Sequence, residues 1–226
     1  VTARPRQLIL DWPHSPSFAR EDLLPAPENA SALETIEAWP RWPSPVMLLT
    51  GPAGSGKSHL GAIWARISDA RTVRAADLVE AAPPDFDGAA ALLIEDADRI
   101  GDREAALFHL LNRTRERGAS VLVTARLAPD LWGLKTPDLV SRLRLAPILS
   151  LGAPDFALTR AVLVKLFEDR QLAVDPAVIA FIARNIERSL DAARAIVAEL
   201  DREALSRGKR VTRAMAAEWL RAADEP

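Results

Sequence analysis

The chain has 226 residues, 49% of them hydrophobic, enough for one large domain or one domain plus a smaller one. A formal net charge of −2 excludes a global electrostatic pull toward nucleic acid or an anionic membrane. The absence of cysteine excludes disulfides and thiolate metal sites and fits a cytoplasmic protein; the N-terminus lacks an apolar signal core, and no apolar run reaches membrane-spanning length.

Residues 1–17 are Pro-rich and read as an extended arm. Within it, Gln7-Leu8-Ile9-Leu10 is an apolar stretch that is costly to leave in water, so it is expected to dock on its own domain or on a partner. Residues 28–39 carry Leu33, Ile36 and Trp39 at helical spacing, and the Pro-rich run 40–45 ends that helix. His14, His59 and His109 are scattered, and no pair has metal-ligand spacing.

An apolar run, Val46 to Thr50, is predicted to be a buried strand. It leads into Gly51-Pro52-Ala53-Gly54-Ser55-Gly56-Lys57-Ser58, and a helical pattern follows to about Arg66. Strand, Gly-rich loop and helix in this order are what a phosphate-binding loop needs. Its glycines let the main chain curl so that N–H groups face phosphate oxygens, and the helix N-terminus adds partial positive charge. In such a loop Lys57 reaches the β- and γ-phosphates, and the Ser58 hydroxyl ligates Mg²⁺.

A short strand is expected at 71–74 and a short helix at 77–80. The run from Ala89 to Ile94 then ends in Glu95-Asp96, a Walker B pattern. A wholly apolar run suits a parallel strand buried on both faces, with its acids emerging at the ligand edge of the sheet. One carboxylate there belongs to the Mg²⁺ shell, and the next orients or deprotonates the attacking water.

Residues 103–117 form an amphipathic helix with Ala106, Leu107, Leu110 and Leu111 on one face and Gly118 closing it. Ser120 to Thr124 reads as another buried strand, and Thr124 is its polar residue at the ligand edge. It is either a γ-phosphate sensor or a strand-end threonine bonded to the backbone. Arg142 lies in the segment 137–144, and 147–151 is the last expected strand. A guanidinium beside a nucleotide fold can reach the γ-phosphate of a neighbouring subunit.

From Pro154 the alternation stops. Residues 155–170, 175–186, 189–206 and 212–222 all read as helices, with Asp175-Pro176 as N-cap and first-turn proline and Thr212 as a cap. The expected organisation is thus an arm (1–17), a P-loop α/β domain with a parallel sheet (18–153) and an all-helical lid domain (154–226). The basic cluster of Arg207, Lys209, Arg210 and Arg213 reads as a solvated turn.

A P-loop domain followed by a helical lid resembles the AAA+ module. The segments 56–60, 106–112, 121–124 and 138–143 resemble the DnaA branch of that family in order and spacing, over nearly all of 18–220. No helix-turn-helix segment follows the lid, so the chain is similar to the short, Hda-type homologues, and no sequence-specific duplex DNA binding is expected. The resemblance implies ADP or ATP with Mg²⁺ as ligands. It adds His59 to the nucleotide-binding set and makes Arg188 the sensor-2 arginine, with Arg194 as its rival. It makes Thr124 the sensor-1 residue. It also implies that Gln7, Leu8 and Leu10 dock in the DNA polymerase sliding clamp (β subunit), and that Arg142 is a finger acting on ATP held by DnaA. The implied function is negative regulation of replication initiation, and a homodimer is a further assembly to test.

Two departures from the family pattern bear on activity. Glu95 stands where an Asp is expected first in the acid pair, and Ala125-Arg126 follows the sensor strand where an Asp is common. The first implies slow turnover by the isolated protein, with ADP as the resident ligand; the second bears on Thr124 as the sensor-1 residue. The alternatives are a DnaC/IstB-like helicase loader acting on single-stranded DNA, and an ADP-locked adaptor that bridges clamp and initiator without chemistry.

Overall fold

Five short runs become the strands of one parallel sheet: β1 (Val46–Thr50), β2 (Arg71–Arg74), β3 (Ala91–Glu95), β4 (Ser120–Ala125) and β5 (Ile148–Ser150), in the order β2-β3-β4-β1-β5. The computed structural model describes residues 18–79 and 89–224. The clamp-peptide residues Gln7, Leu8 and Leu10 lie outside them. The three central strands are almost wholly apolar and buried, as strands covered on both faces must be. The edge strands are short, and β2 carries Arg71 and Arg74 exposed, which blunts that edge.

Strand periodicity divides the core in two. Met47, Leu49, Leu93 and Leu122 face one side, where Leu33 and Ile36 of α1 (Ala30–Glu37) and Leu60, Ile63 and Trp64 of α2 (Lys57–Ser68) cover them. Leu48, Leu92, Ile94, Val121 and Val123 face the other side. There Leu107, Leu110 and Leu111 of α3 (Glu104–Glu116) and Leu139 and Leu143 of α4 (Pro137–Arg144) cover them. The P-loop helix and the helix carrying Arg142 therefore lie on opposite faces of the sheet.

Of the helix expected at 77–80, residue 80 lies outside the described residues; Leu78 and Val79 are not helical, and a single 3₁₀ turn at Ala75–Asp77 precedes them. Helix α4 was not anticipated. Thr136 precedes it and Pro137 takes its first position, a start signal readable in the sequence.

The chain divides at Ala153/Pro154 into two compact units. The second holds α5 (Phe156–Asp169), α6 (Pro176–Asn185), α7 (Leu190–Arg207) and α8 (Arg213–Asp224). Asp155, Asp175 and Ser189 cap the first three through their side chains, and Thr212 Oγ1 accepts from the Met215 N–H. Leu163, Phe167, Ile182, Ile196, Val197, Leu200 and Ala216 form its core. Arg170 at the end of α5 pairs with Asp201 of α7 at 3.6 Å. Among the described residues, no helix is long and apolar enough to cross a membrane.

Candidate functional site

The Gly51–Ser58 loop leaves the C-terminal end of β1, and its shape follows from its glycines. A Cβ on Gly51 would lie 2.8 Å from the Leu151 carbonyl oxygen and 2.8 Å from Ser55 Oγ, so only glycine fits. Gly56, at φ 100°, is the left-handed N-cap of α2 and turns the chain into the helix. The first amides of α2 have no intrahelical acceptors, which makes this end an anion site in waiting.

Lys57 is buried, and its Nζ donates to the Gly51 carbonyl at 2.8 Å and the Pro52 carbonyl at 2.7 Å. The loop thus wraps around its own ammonium. Ser55 Oγ is buried with no hydrogen-bond partner among the described residues, a state that costs on the order of 1–3 kcal/mol. A phosphate oxygen in the loop would relieve it. An orphaned hydroxyl, a buried ammonium and a main chain packed too tightly for a Cβ all fit a nucleotide's phosphates.

The acids sit at the same sheet edge. Glu95 is the last residue of β3, and Asp96 takes a left-handed φ of 54° as the chain turns away. The Asp96 N–H donates to Thr124 Oγ1 at 3.2 Å. Thr124 is only 2% exposed and pairs in register with Leu49 of the P-loop strand. Its oxygen therefore pins the acid turn, as in the reading of Thr124 as a strand-end threonine bonded to the backbone. A second pin comes from Asp98, whose Oδ1 accepts from the Arg126 N–H at 3.1 Å. Asp98 was not singled out in the sequence, because only the fold brings it to Arg126.

Among the described residues no group of three His, Asp or Glu forms a cation cage. Mg²⁺ does not need one, since it takes one or two carboxylates and completes its shell with water and substrate phosphates. Ser58, exposed in the first turn of α2, and the half-buried Glu95 and Asp96 fit that donor set. The side chain of His59, which follows Ser58 in α2, meets the segment ahead of α1. Its Nε2–H donates to the Ala19 carbonyl at 2.8 Å, and its ring stands edge-on to Phe18, with centroids 5.5 Å apart.

Arg142, in the last turn of α4, is held by α3. Its Nη1 donates to Asn112 Oδ1, and its guanidinium lies 5.2 Å from the centroid of the Phe108 ring. The sheet separates it from α2.

No family model matches the chain, and no curated protein matches it. Domain III of the replication initiation protein DnaA from Thermotoga maritima matches it with a TM-score of 0.79 at 20% identity, over 95% of this chain and 100% of that one. The chain has a DnaA-like AAA+ fold. The replication initiator DnaA bound to AMPPCP and single-stranded DNA matches with a TM-score of 0.70 at 16% identity, over 86% of this chain and 68% of that one. The RuvB Holliday junction branch migration motor of Thermotoga maritima gives 0.61 at 19% identity, over 78% of this chain and 61% of that one. The five-stranded parallel sheet flanked by helices is the AAA+ P-loop architecture expected from the sequence.

In the second unit the two sensor-2 rivals differ. Arg194 Nη1 donates to Asp191 Oδ1 at 2.9 Å within the first turns of α7. Arg188 is exposed, just ahead of the capping Ser189, and its side chain has no partner among the described residues.

Proposed function

We propose that this protein is a nucleotide-bound negative regulator of replication initiation of the Hda type. It binds ADP or ATP with Mg²⁺ in the Gly51–Ser58 loop. Lys57 and Ser55 meet the phosphates; Ser58, Glu95 and Asp96 serve the metal; and Arg188 contacts the nucleotide from the lid. Its chemical effect falls on a neighbour: Arg142 reaches ATP bound by DnaA and stabilises the charge that develops in hydrolysis. A finger supplied in trans is worth roughly 10³–10⁵ in rate. Gln7, Leu8 and Leu10 recruit the protein to the DNA-loaded sliding clamp.

The observation that carries this reading is the placement of Arg142. It stands on the α3–α4 face, clasped by Phe108 and Asn112, while the loop that would hold the protein's own nucleotide opens into α2 on the other face. A guanidinium held so, away from its own P-loop helix, suits action on a second molecule. Nucleotide binding by the DnaA-like fold is supported by the neighbour that carries AMPPCP.

The test is a pull-down on DNA-loaded clamp with wild type and Gln7→Ala, followed by hydrolysis of DnaA-bound ATP in the same mixture. Wild type should be retained and accelerate hydrolysis, and Gln7→Ala should lose both. Acceleration without clamp, or equal retention of Gln7→Ala, would sink the clamp half of the reading.

A further inference from the structure

Helix α4 is two turns long, and a helix that short is marginal without tertiary anchors. Leu139 and Leu143 bury its inner face. Its N-terminus carries no side-chain cap of its own: Thr136, the N-cap residue, makes no capping bond. The chain just ahead of it is held instead from another helix. Glu104, the first residue of α3, is buried; its Oε1 accepts from the Lys135 N–H at 2.9 Å, and its Oε2 accepts from the Thr136 N–H at 2.8 Å and the Lys135 N–H at 3.0 Å.

Glu104, Phe108 and Asn112 are spaced i, i+4 and i+8 and so form one stripe along α3. The stripe holds both ends of α4. Glu104 fixes the entry of the chain at 135–136, and Phe108 and Asn112 fix Arg142 in the last turn. Arg142 lies six residues beyond Thr136, roughly 9 Å further along the helix axis. The carboxylate at one end therefore sets the angle and register at which the guanidinium is offered at the other.

Resting on the finger reading above, we propose that Glu104 is a positioning residue for Arg142, acting through the main chain of 135–136 and the axis of α4. Glutamine at 104 keeps the size of the side chain but has one acceptor oxygen, and in either orientation its NH₂ group faces at least the Lys135 N–H donor. The entry of α4 is then released while the hydrophobic contacts of Leu139 and Leu143 remain.

The experiment compares Glu104→Gln, Arg142→Ala and the double variant with wild type, all as full-length protein. Two quantities are read: amide hydrogen exchange over 135–144, and the rate of hydrolysis of DnaA-bound ATP on loaded clamp as the protein is titrated to saturation. In Glu104→Gln, exchange at 135–144 should quicken at least about tenfold, and the saturating rate should fall about tenfold, since misplacing a catalytic group by about 1 Å can cost 10². The half-saturating concentration should move less than about twofold, because a merely unstable protein would lower the active fraction and regain its rate at saturation. The double variant should be no slower than Arg142→Ala alone. Multiplying losses in the double variant, unchanged exchange, or an unchanged saturating rate would each overturn the proposal. Should Glu104→Gln fail to fold, Glu104→Asp, one methylene short, reads the same quantities. If Arg142→Ala itself leaves the rate intact, the finger reading is what falls.

Discussion

The Asp96 N–H donates to Thr124 Oγ1 at 3.2 Å, so the threonine at the end of one central strand holds the acid turn of the next. Thr124 pairs with Leu49 of β1, the strand that feeds the Gly51–Ser58 loop, and Asp96 directly follows β3. One hydroxyl therefore couples the phosphate loop to the carboxylates, with its own O–H still a donor.

Replacing Thr124 with Val keeps the shape and removes the acceptor. The Asp96 N–H, part-buried, then loses its partner. Unfolding free energy should fall by about 1–3 kcal/mol in denaturant titration, and Thr124→Ser should recover most of it. Equal stability of all three would show that the bond does not hold the turn.

Ser55 is expected to behave in opposite ways with and without ligand. Its buried hydroxyl has no partner among the described residues, so Ser55→Ala should leave the nucleotide-free protein as stable as wild type or slightly more so. The same change should weaken Mg·ADP binding by calorimetry, because the phosphate loses a donor. A variant that is destabilised yet binds ADP normally would contradict this reading of the loop.

The Glu104 carboxylate gives stability a definite pH sense. Burial opposes its ionisation, but hydrogen bonds from the Lys135 amide and from the side chain and amide of Thr136 outweigh burial and hold its pKa below the ordinary 4.5. A carboxyl depressed in the folded state stabilises above its unfolded pKa and loses that contribution as pH falls through the folded value. Wild type should therefore lose stability below about pH 4.5 more steeply than Glu104→Gln, with the two curves converging in acid. Parallel acid curves would show that the carboxylate is not ionised against α4.

Much of the fold was legible because its signals are local. The apolar runs of β1, β3 and β4, the glycines of 51–56 and the caps Asp175 and Thr212 each declare themselves within a few residues. Helix α4 was missed because only Leu139 and Leu143 of its eight residues are buried, too few to declare a helical face. The supporting parts of the site were illegible for a different reason. Asp98 with Arg126, Glu104 with 135–136, and Asn112 with Arg142 are contacts across roughly thirty residues of chain, and no periodicity encodes them. The resemblance puts His59 in the nucleotide-binding set, while its ring meets the Ala19 carbonyl through packing that only the fold supplies.

The central claim is that Arg142 acts on a nucleotide held by another molecule. The direct measurement is hydrolysis of ATP bound to DnaA, in the presence of DNA-loaded clamp, with wild type and Arg142→Ala matched for clamp retention. Retention should be unchanged, while stimulated hydrolysis should fall by on the order of 10³ or to background. Arg142→Ala protein that is retained on the clamp and still stimulates at the wild-type rate would contradict the account and leave a nucleotide-bound adaptor in its place.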